Sequence, residues 1–195
     1  MLIEKHNQEY IQKIDSIIRK SLNNHSRISA IRIDLRFPDV STNHSDDSKS
    51  ITRFFESLKA KIHADLIRKT HLWGRQCSSE LHYVWVREIG EVNNKKHYHA
   101  LLMVNKDIYK GLGNYSQEDI CLGVLIQQAW CSAISTDYSE NRYLVHFPEN
   151  PTYWLDANST EIENQISTLN ERSLYLAKHH TKHYGDGERS FGCSR

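Results

Sequence analysis

The hydrophobic residues of this chain repeat at two spacings, one typical of helices and one typical of strands. In residues 2–22 and again in residues 51–66, apolar side chains recur three and four positions apart, which predicts two amphipathic helices. Between them lies a segment over residues 28–37 in which apolar and polar side chains alternate from Ile31 to Phe37, and Pro38 ends the run. This alternation predicts a strand with one face toward a hydrophobic core.

A predicted hairpin follows the second helix. Residues 81–90 and 96–105 both have strand character, and the short connection between them contains Asn93 and Asn94. Consecutive asparagines tolerate the positive φ angles that tight hairpin turns need. We therefore expect two antiparallel strands joined through residues 91–95.

Three further elements are predicted before the C-terminal tail. They are a helix over residues 116–135, an edge strand over 143–147 and a last helix over 158–180, while the residues from 186 onward read as loop. The resulting order, α-β-α-β-β-α-β-α with an antiparallel hairpin in the middle, predicts an α+β fold.

Composition places the chain among ordinary globular proteins. It has 195 residues, of which 38% are hydrophobic and 25% charged, enough to bury one substantial core. The first residues lack the apolar run of a signal peptide, no segment is long enough to span a membrane, and the four cysteines show no C-x-x-C spacing. We expect a cytoplasmic protein with reduced cysteines and no membrane partner.

Charge is unevenly distributed although the formal net charge is only +1. Residues 49–75 contain seven Lys or Arg and two acids, and residues 137–171 contain seven acids and one Arg. Such a layout can present a basic face to phosphates. The alternative is an ordinary solvated helix face followed by an acidic loop.

The strongest chemical signal is His97-Tyr98-His99 on the second hairpin strand. Side chains two residues apart on a strand share a face, so the two imidazoles can hold one divalent metal. In an antiparallel hairpin the numbers of paired residues add to a constant. With Asn93 and Asn94 as the turn that constant puts Glu88 opposite His99, and lowering it by two puts Glu88 opposite His97. Both registers keep Glu88 on the histidine face.

Two histidines and a carboxylate with open positions suit Mg²⁺ or Mn²⁺, although imidazoles also favour softer metals. Glu91 is the competing carboxylate, but it has the opposite parity and lies nearer the turn. The alternative is a chance His-x-His pair in a chain with 12 histidines.

Tyr175, on the last predicted helix, is the candidate nucleophile. Its helical neighbours can all be cationic, a setting that favours the phenolate and binds a phosphate. Lys178, one turn on, could stabilise the charge of the transition state or protonate the leaving group. The alternatives are a boundary tyrosine beside solvated lysines, and Tyr184 as a second nucleophile near the helix end. The cationic neighbours of Tyr175 are Arg172, Lys178, His179 and Lys182.

These motifs together resemble those of HUH endonucleases. A strand-borne His97-Tyr98-His99 followed by apolar residues, and then a helical Tyr-x-x-Lys at Tyr175 and Lys178, is their pattern. The superfamily nicks single-stranded DNA in rolling-circle replication, conjugation and transposition. The resemblance implies a central antiparallel sheet flanked by helices, related to the RNA-recognition fold, with a third metal ligand from the preceding strand, where Glu88 lies.

More closely, the chain resembles the inovirus replication-initiator-like family of bacterial prophages, also described as the YagK/YfjJ C-terminal domain. This resemblance divides the chain into an N-terminal helical segment, residues 1–27, and an HUH endonuclease-like domain, residues 28–195. The matching segments are Ile31–Pro38, Arg87–Gly90, His97–Leu102, Tyr175–Lys178 and the closing residues 186–195.

The resemblance implies a mechanism and partners. Tyr175 would attack a phosphodiester to give a 5′-phosphotyrosyl intermediate and a free 3′-OH, while the metal polarises the scissile phosphate. Arg32 and Arg36 on the first strand, with the basic helix, would hold single-stranded DNA at a replication origin. A host helicase is a further expected partner, since the chain has no GxxxxGK[ST] nucleotide-binding loop.

Two other functions compete with this one. A catalytically inactive DNA-binding regulatory protein of a prophage would keep the sheet and the basic helix but need neither metal nor Tyr175. A two-histidine, one-carboxylate oxygenase would need a β-barrel and Fe(II). The long predicted helices argue against the oxygenase.

Overall fold

The computed structural model describes residues 6–38, 48–90, 95–116, 119–178 and 187–195. Its five α-helices in these ranges are α1 (Gln8–Asn24), α2 (Ser50–Trp73), α3 (Leu122–Ala133), α4 (Tyr138–Asn141) and α5 (Ile162–Ser173). Its strands are β1 (Arg27–Arg36), β2 (His82–Ile89), β3 (Lys96–Asn105), β4 (Val145–His146), β5 (Thr152–Asp156) and β6 (Phe191–Cys193). Two 3₁₀ turns, Arg142–Leu144 and Leu174–Ala177, complete the described elements.

The strands form one six-stranded sheet in which every pairing is antiparallel. The order is β4-β1-β3-β2-β6, and β5 also pairs with β1, along the half of that strand that β4 leaves open. Strands β1, β3 and β2 therefore form the centre. The predicted α+β fold, a central antiparallel sheet flanked by helices, is confirmed.

Helices cover both faces of the sheet. On one face Ile31, Ile33 and Leu35 of β1 pack with residues of α2 and α3, including Phe54 and Trp130. The opposite face carries a second core against α1 and α5. The alternation of β1 places its polar residues on this second face. Arg32 and Asp34 are among them, and both lie half-buried at the end of the second core.

Helix α1 is built by its cap and its apolar stripe. The Asn7 side chain accepts hydrogen bonds from the backbone N–H groups of Glu9 and Tyr10, satisfying donors that the first turn leaves free. Its buried stripe, which faces the sheet, consists of Ile14, Ile17, Ile18, Ser21 and Leu22. The helix begins at Gln8 rather than at residue 2, and residues 1–5 lie outside the described part of the chain.

Helix α2 follows the predicted 3.6-residue period and is longer than predicted. It ends at Gly74, whose φ of +61° is the left-handed conformation common after a helix. Within its last turns the buried carboxylate of Asp65 pairs with Lys69 and accepts a hydrogen bond of 2.9 Å from the Tyr109 hydroxyl. These bonds tie the helix to the segment after β3. No described helix is both long and apolar enough to cross a membrane.

Other elements also differ from the prediction, and the short strands among them depend on pairing with distant strands. Helix α3 was predicted to begin at residue 116, but it begins at Leu122, because the buried apolar run starts there. Of the strand predicted over 143–147, only β4 remains, because Tyr143 and Leu144 form a 3₁₀ turn. Strand β5 was not predicted. The tail predicted as loop contains β6, which exists only through pairing with β2.

Candidate metal centre

The β2–β3 hairpin brings the predicted metal ligands to one face of the sheet. Glu88 pairs with His97, and the backbone N–H of Gly90 donates to the carbonyl of Lys95 over 2.9 Å. Of the two registers considered, the one with Glu88 opposite His99 is wrong, because the connection is longer than a two-residue Asn93-Asn94 turn. The parity is the same in both, so Glu88, His97 and His99 share a face.

These three side chains, which we call the ligand cluster, converge on one point. The Oε2 atom of Glu88 lies 3.4 Å from Nε2 of His99 and 3.8 Å from Nε2 of His97. One ligand atom from each residue lies within 4.8 Å of the other two. Two imidazole nitrogens and a largely buried carboxylate are a set of donors that could hold a metal ion, leaving further coordination positions open.

Asp34 on β1 supports the cluster, a role that the sequence did not indicate. It pairs with His99 across the β1–β3 ladder, and its Oδ1 accepts a hydrogen bond of 2.6 Å from His99 Nδ1. Its other oxygen lies 3.0 Å from Nδ1 of His146 on β4. A histidine that donates Nδ1–H to a carboxylate directs Nε2 toward a metal, so Asp34 orients His99 as a ligand.

The electrostatics of the cluster are those of a cation site. Burial lowers the pKa of His99, but its hydrogen bonds to Asp34 and Glu88 outweigh burial and raise that pKa to about 9. Burial and the neighbouring His99 lower the pKa of His97. For Asp34, hydrogen bonds to His99 and His146 overcome burial and hold its pKa below the ordinary value. Two carboxylates thus stabilise positive charge between them.

Tyr175 lies beside this cluster, although it is far from it in sequence. Its ring meets the His99 ring edge-on, with centroids 5.5 Å apart and planes at 90°. Its hydroxyl oxygen is 3.4 Å from Nε of Arg32, which donates to it, and the Arg32 guanidinium carbon is 4.5 Å from the ring centroid. Arg32, predicted as a DNA-binding residue, is therefore a direct partner of the candidate nucleophile.

Among the described residues, burial outweighs cationic neighbours in setting the pKa of Tyr175. Burial raises the Tyr175 pKa to about 12; Arg32 opposes this rise, while the carboxylates of Asp34 and Glu88 add to it. Arg172 is exposed on the last turn of α5. His179 and Lys182, like Tyr184, lie outside the described residues. Without a bound cation the phenol is thus held in its neutral form.

The helix that carries Tyr175 ends earlier than predicted. It starts at Ile162, tightens into a 3₁₀ turn over Leu174–Ala177, and gives way to extended backbone at Lys178. The cause is the N-terminal segment: the N–H of Asn7 donates to the Ala177 carbonyl over 2.8 Å, and His6 forms a β-bridge with Lys178. Lys178 therefore follows Tyr175 on a fixed backbone but not on a continuous α-helix.

The other predicted DNA-binding residues fall in two places. Arg36 is exposed and pairs with His97 across the ladder, close to the ligand cluster. The basic run of residues 49–75 lies largely on α2, which packs on the sheet face opposite the cluster. The structure thus separates two positive regions that the sequence suggested as one surface.

Comparison with known proteins confirms the YagK/YfjJ part of the closer resemblance. The family model described as the YagK/YfjJ C-terminal domain matches residues 3–194. The uncharacterized protein YagK of Escherichia coli (strain K12) is 38% identical over 197 aligned residues, covering 97% of this chain and 94% of YagK. The uncharacterized protein YfjJ of the same strain is 38% identical over 196, covering 95% of this chain and 93% of YfjJ. No solved structure matches the chain. The chain belongs to the YagK/YfjJ C-terminal domain family.

Proposed function

We propose that this protein is a metal-dependent endonuclease that nicks and rejoins single-stranded DNA through a phosphotyrosine intermediate, as a rolling-circle-type replication initiator of a phage or prophage. The observation that carries the proposal is the packing of Tyr175 against His99, with centroids 5.5 Å apart. A hydroxyl nucleophile beside a Glu–His–His cluster is the combination that phosphodiester transesterification needs.

Glu88, His97 and His99 would hold the metal ion, and their mixed nitrogen and oxygen donors fit Mn²⁺ or Mg²⁺. When bound, a divalent ion acts as a Lewis acid on the scissile phosphate and offsets the carboxylate charge near Tyr175. Asp34 contributes from outside the cluster by fixing the orientation of His99.

The covalent step belongs to Tyr175. Its Oη forms a bond to phosphorus as the bond from phosphorus to the 3′ oxygen breaks; the phenol loses its proton and the 3′ oxygen gains one. The products are a 5′-phosphotyrosyl strand and a free 3′-OH, and the reverse reaction rejoins them with one tyrosine. No nucleotide cofactor is consumed, because the phosphotyrosyl bond conserves the energy of the phosphodiester.

Two cations of the chain assist this step in the proposal. The Arg32 guanidinium, which donates to the Tyr175 hydroxyl, stabilises negative charge as it develops on the phenol oxygen and lowers the phenol pKa. Lys178 follows the turn that carries Tyr175 and is assigned the stabilisation of the negative charge that develops on the phosphate in the transition state.

The proposal extends to the substrate and partners. Arg36 and Arg172 are exposed cations suited to DNA phosphates. Single-stranded DNA at a replication origin is the proposed substrate. Membership of the HUH superfamily and the link to inovirus initiators support it by resemblance. A host helicase would supply the unwinding that a chain of this kind does not perform.

The test is incubation of the protein with labelled single-stranded oligonucleotides from the neighbourhood of its gene, with Mn²⁺ or Mg²⁺, followed by a denaturing gel. We expect a covalent protein–DNA adduct and a shortened strand with a 3′-OH. The adduct should disappear in Tyr175→Phe and in the double variant His97→Ala/His99→Ala. Tyr184→Phe is the matched control and should retain it.

DNA binding without an adduct, across several metals and a panel of sequences, would contradict the nickase. That result would favour a catalytically inactive DNA-binding regulator. The raised pKa of Tyr175 is the observation that fits this second function, because a phenol held neutral is a poor nucleophile.

A further inference from the structure

A cavity of about 430 Å³ opens beside the ligand cluster, on the side away from Tyr175. Its walls include basic side chains, one exposed aromatic ring and residues of the metal centre itself. Among the lining residues are Asp34, Arg36, Lys96, His97 and Tyr143. We refer to it as the Tyr143 cavity.

The position of the cavity follows from the register of β1 and β3. Arg32 pairs with Leu101, Asp34 with His99, and Arg36 with His97. Successive residues on one face of a strand are roughly 6–7 Å apart. Three sites therefore follow one another along β1. Arg32 with its partner Tyr175 comes first, the ligand cluster second, and Arg36 with the cavity third.

This order has a mechanistic consequence if Tyr175 is the nucleophile. In transesterification at phosphorus the attacking and leaving oxygens lie in line on opposite sides of the phosphate. A phosphate held at the cluster would be attacked from the Tyr175 side and would release its 3′ oxygen toward the cavity. The nucleotide that carries the leaving 3′ oxygen would then occupy the cavity.

Tyr143 is presented to the cavity from a backbone that is anchored on both sides. It lies in the 3₁₀ turn between α4 and β4, where the following residues Leu144 and Val145 are buried in the core. The preceding α4 is capped by the Asp137 carboxylate, which accepts from two backbone N–H groups. Tyr143 itself remains 66% exposed. The backbone that carries Tyr143 is thus held on both sides, while its side chain lies exposed to solvent.

The polar groups available in the cavity fit a nucleotide. With respect to the described residues, neither the Arg36 guanidinium nor the Tyr143 hydroxyl has a hydrogen-bond or ion-pair partner. Lys96 adds a second cation, although it also interacts with Glu188 and lies over the Phe37 ring. A base can stack on the tyrosine while the arginine contacts a phosphate.

We propose that the Tyr143 cavity binds the nucleotide on the 5′ side of the scissile phosphate, with its base stacked on Tyr143 and its backbone contacted by Arg36. This inference rests on the proposed nicking function. Tyr143 is a substrate-positioning residue in it, because it would contact a base rather than the reacting atoms.

The test uses a product mimic, so that binding is measured without cleavage. The probe is a 5′-fluorescein hexathymidylate with a free 3′-OH, titrated with the wild-type protein in Mn²⁺ and followed by anisotropy. Base–aromatic stacking is worth about 1–3 kcal/mol, so Tyr143→Ala should weaken binding about tenfold. Tyr143→Phe should bind as the wild type does, and Trp154→Ala is the control for loss of an exposed aromatic elsewhere.

A second probe with an abasic 3′-terminal residue separates stacking from a structural effect. The wild type should bind it about tenfold more weakly than the complete probe, whereas Tyr143→Ala should bind both equally. Arg36→Gln should weaken both probes alike and lower the salt dependence of binding by about 0.7 in logarithmic slope. Arg75→Gln is its control.

The outcomes distinguish the site from the reaction. Loss of binding on Tyr143→Ala together with the absence of any adduct in the wild type would support the cavity and overturn the nickase. An adduct in the wild type together with equal binding by Tyr143→Ala, or an equal abasic penalty in both proteins, would overturn the cavity assignment and leave the nickase intact.

Discussion

Asp34 and His99 face each other across the β1–β3 ladder with Oδ1 and Nδ1 2.6 Å apart, and this bond links two carboxylates through one imidazole. His99 Nε2 in turn lies 3.4 Å from Glu88. The metal centre is therefore a feature of three strands rather than of the hairpin alone. The affinity of this candidate site for a cation would depend on a residue, Asp34, that need not touch the ion.

Removing the charge of Asp34 should weaken the metal site while preserving the fold. Asp34→Asn keeps the shape but loses the charge that fixes His99, and such supporting contacts are worth roughly 10–100-fold in metal affinity. Calorimetric titration with Mn²⁺ measures this. Asp156→Asn, an acid that pairs with Arg27 at the other end of β1, is the control, and equal affinities in the two variants would refute the role of Asp34.

In the metal-free protein, His99 should make stability depend on pH. Its pKa is raised from 6.5 to about 9, so the folded state binds its proton more tightly than the unfolded state. The resulting stabilisation is complete below pH 6.5 and is lost as the pH rises through about 9. Urea unfolding in EDTA at a series of pH values should show this decline, and His99→Gln should show less of it.

Metal binding should release a proton near neutral pH. His99 carries a proton below pH 9 in the metal-free protein, and its nitrogen must lose that proton to become a ligand. The lowered pKa of His97 means that it contributes little to this release. Titrations in buffers of different ionisation enthalpy should give about one proton per ion at pH 7.5. A value near zero would show that His99 does not coordinate.

Arg32 should act on the reactivity of Tyr175 rather than on DNA affinity. Its guanidinium donates to the phenol and opposes the rise in phenol pKa, so Arg32→Gln should slow adduct formation by about 10²-fold, as loss of one such donor commonly does. When the rate of adduct formation is measured as a function of pH, Arg32→Gln should need a higher pH than the wild type to reach its maximum rate. Arg172→Gln, on the exposed end of α5, should alter DNA affinity with little change in the rate at saturation.

Asn7 should contribute to stability through both its side chain and its backbone. Its side chain caps α1, and its backbone N–H holds the Ala177 carbonyl at the end of the Tyr175 turn. Asn7→Ala removes the cap alone and should cost about 1 kcal/mol in the free energy of unfolding. Asn7→Ser, which can still cap, should remain close to the wild type in the same urea titration.

Part of the site could be predicted because it depends on parity alone. Glu88, His97 and His99 share a face in any register that preserves odd and even positions, so an error of two residues in the hairpin did not separate them. The alternation of β1 was equally clear. Local patterns of this kind are encoded within ten residues of sequence.

The missed features depend on contacts that no local pattern encodes. Asp34 was visible as a polar residue of β1, but its pairing with His99 requires the strand order. The raised pKa of Tyr175 arises from burial and from carboxylates on β1 and β2. The sequence indicated only the helical neighbours of Tyr175 as influences on its pKa. Strand β6, three residues long, is too short for an alternation and forms only on the edge of β2.

The most direct test of the central claim is to identify the covalently modified residue. The protein is incubated with Mn²⁺ and a single-stranded origin oligonucleotide, digested with nuclease and trypsin, and analysed by tandem mass spectrometry. We expect a nucleotide attached through a 5′-phosphate to Tyr175, formed only with metal. Attachment to Tyr184 or to any other residue, or a Tyr175 adduct that forms equally well in EDTA, would contradict that claim.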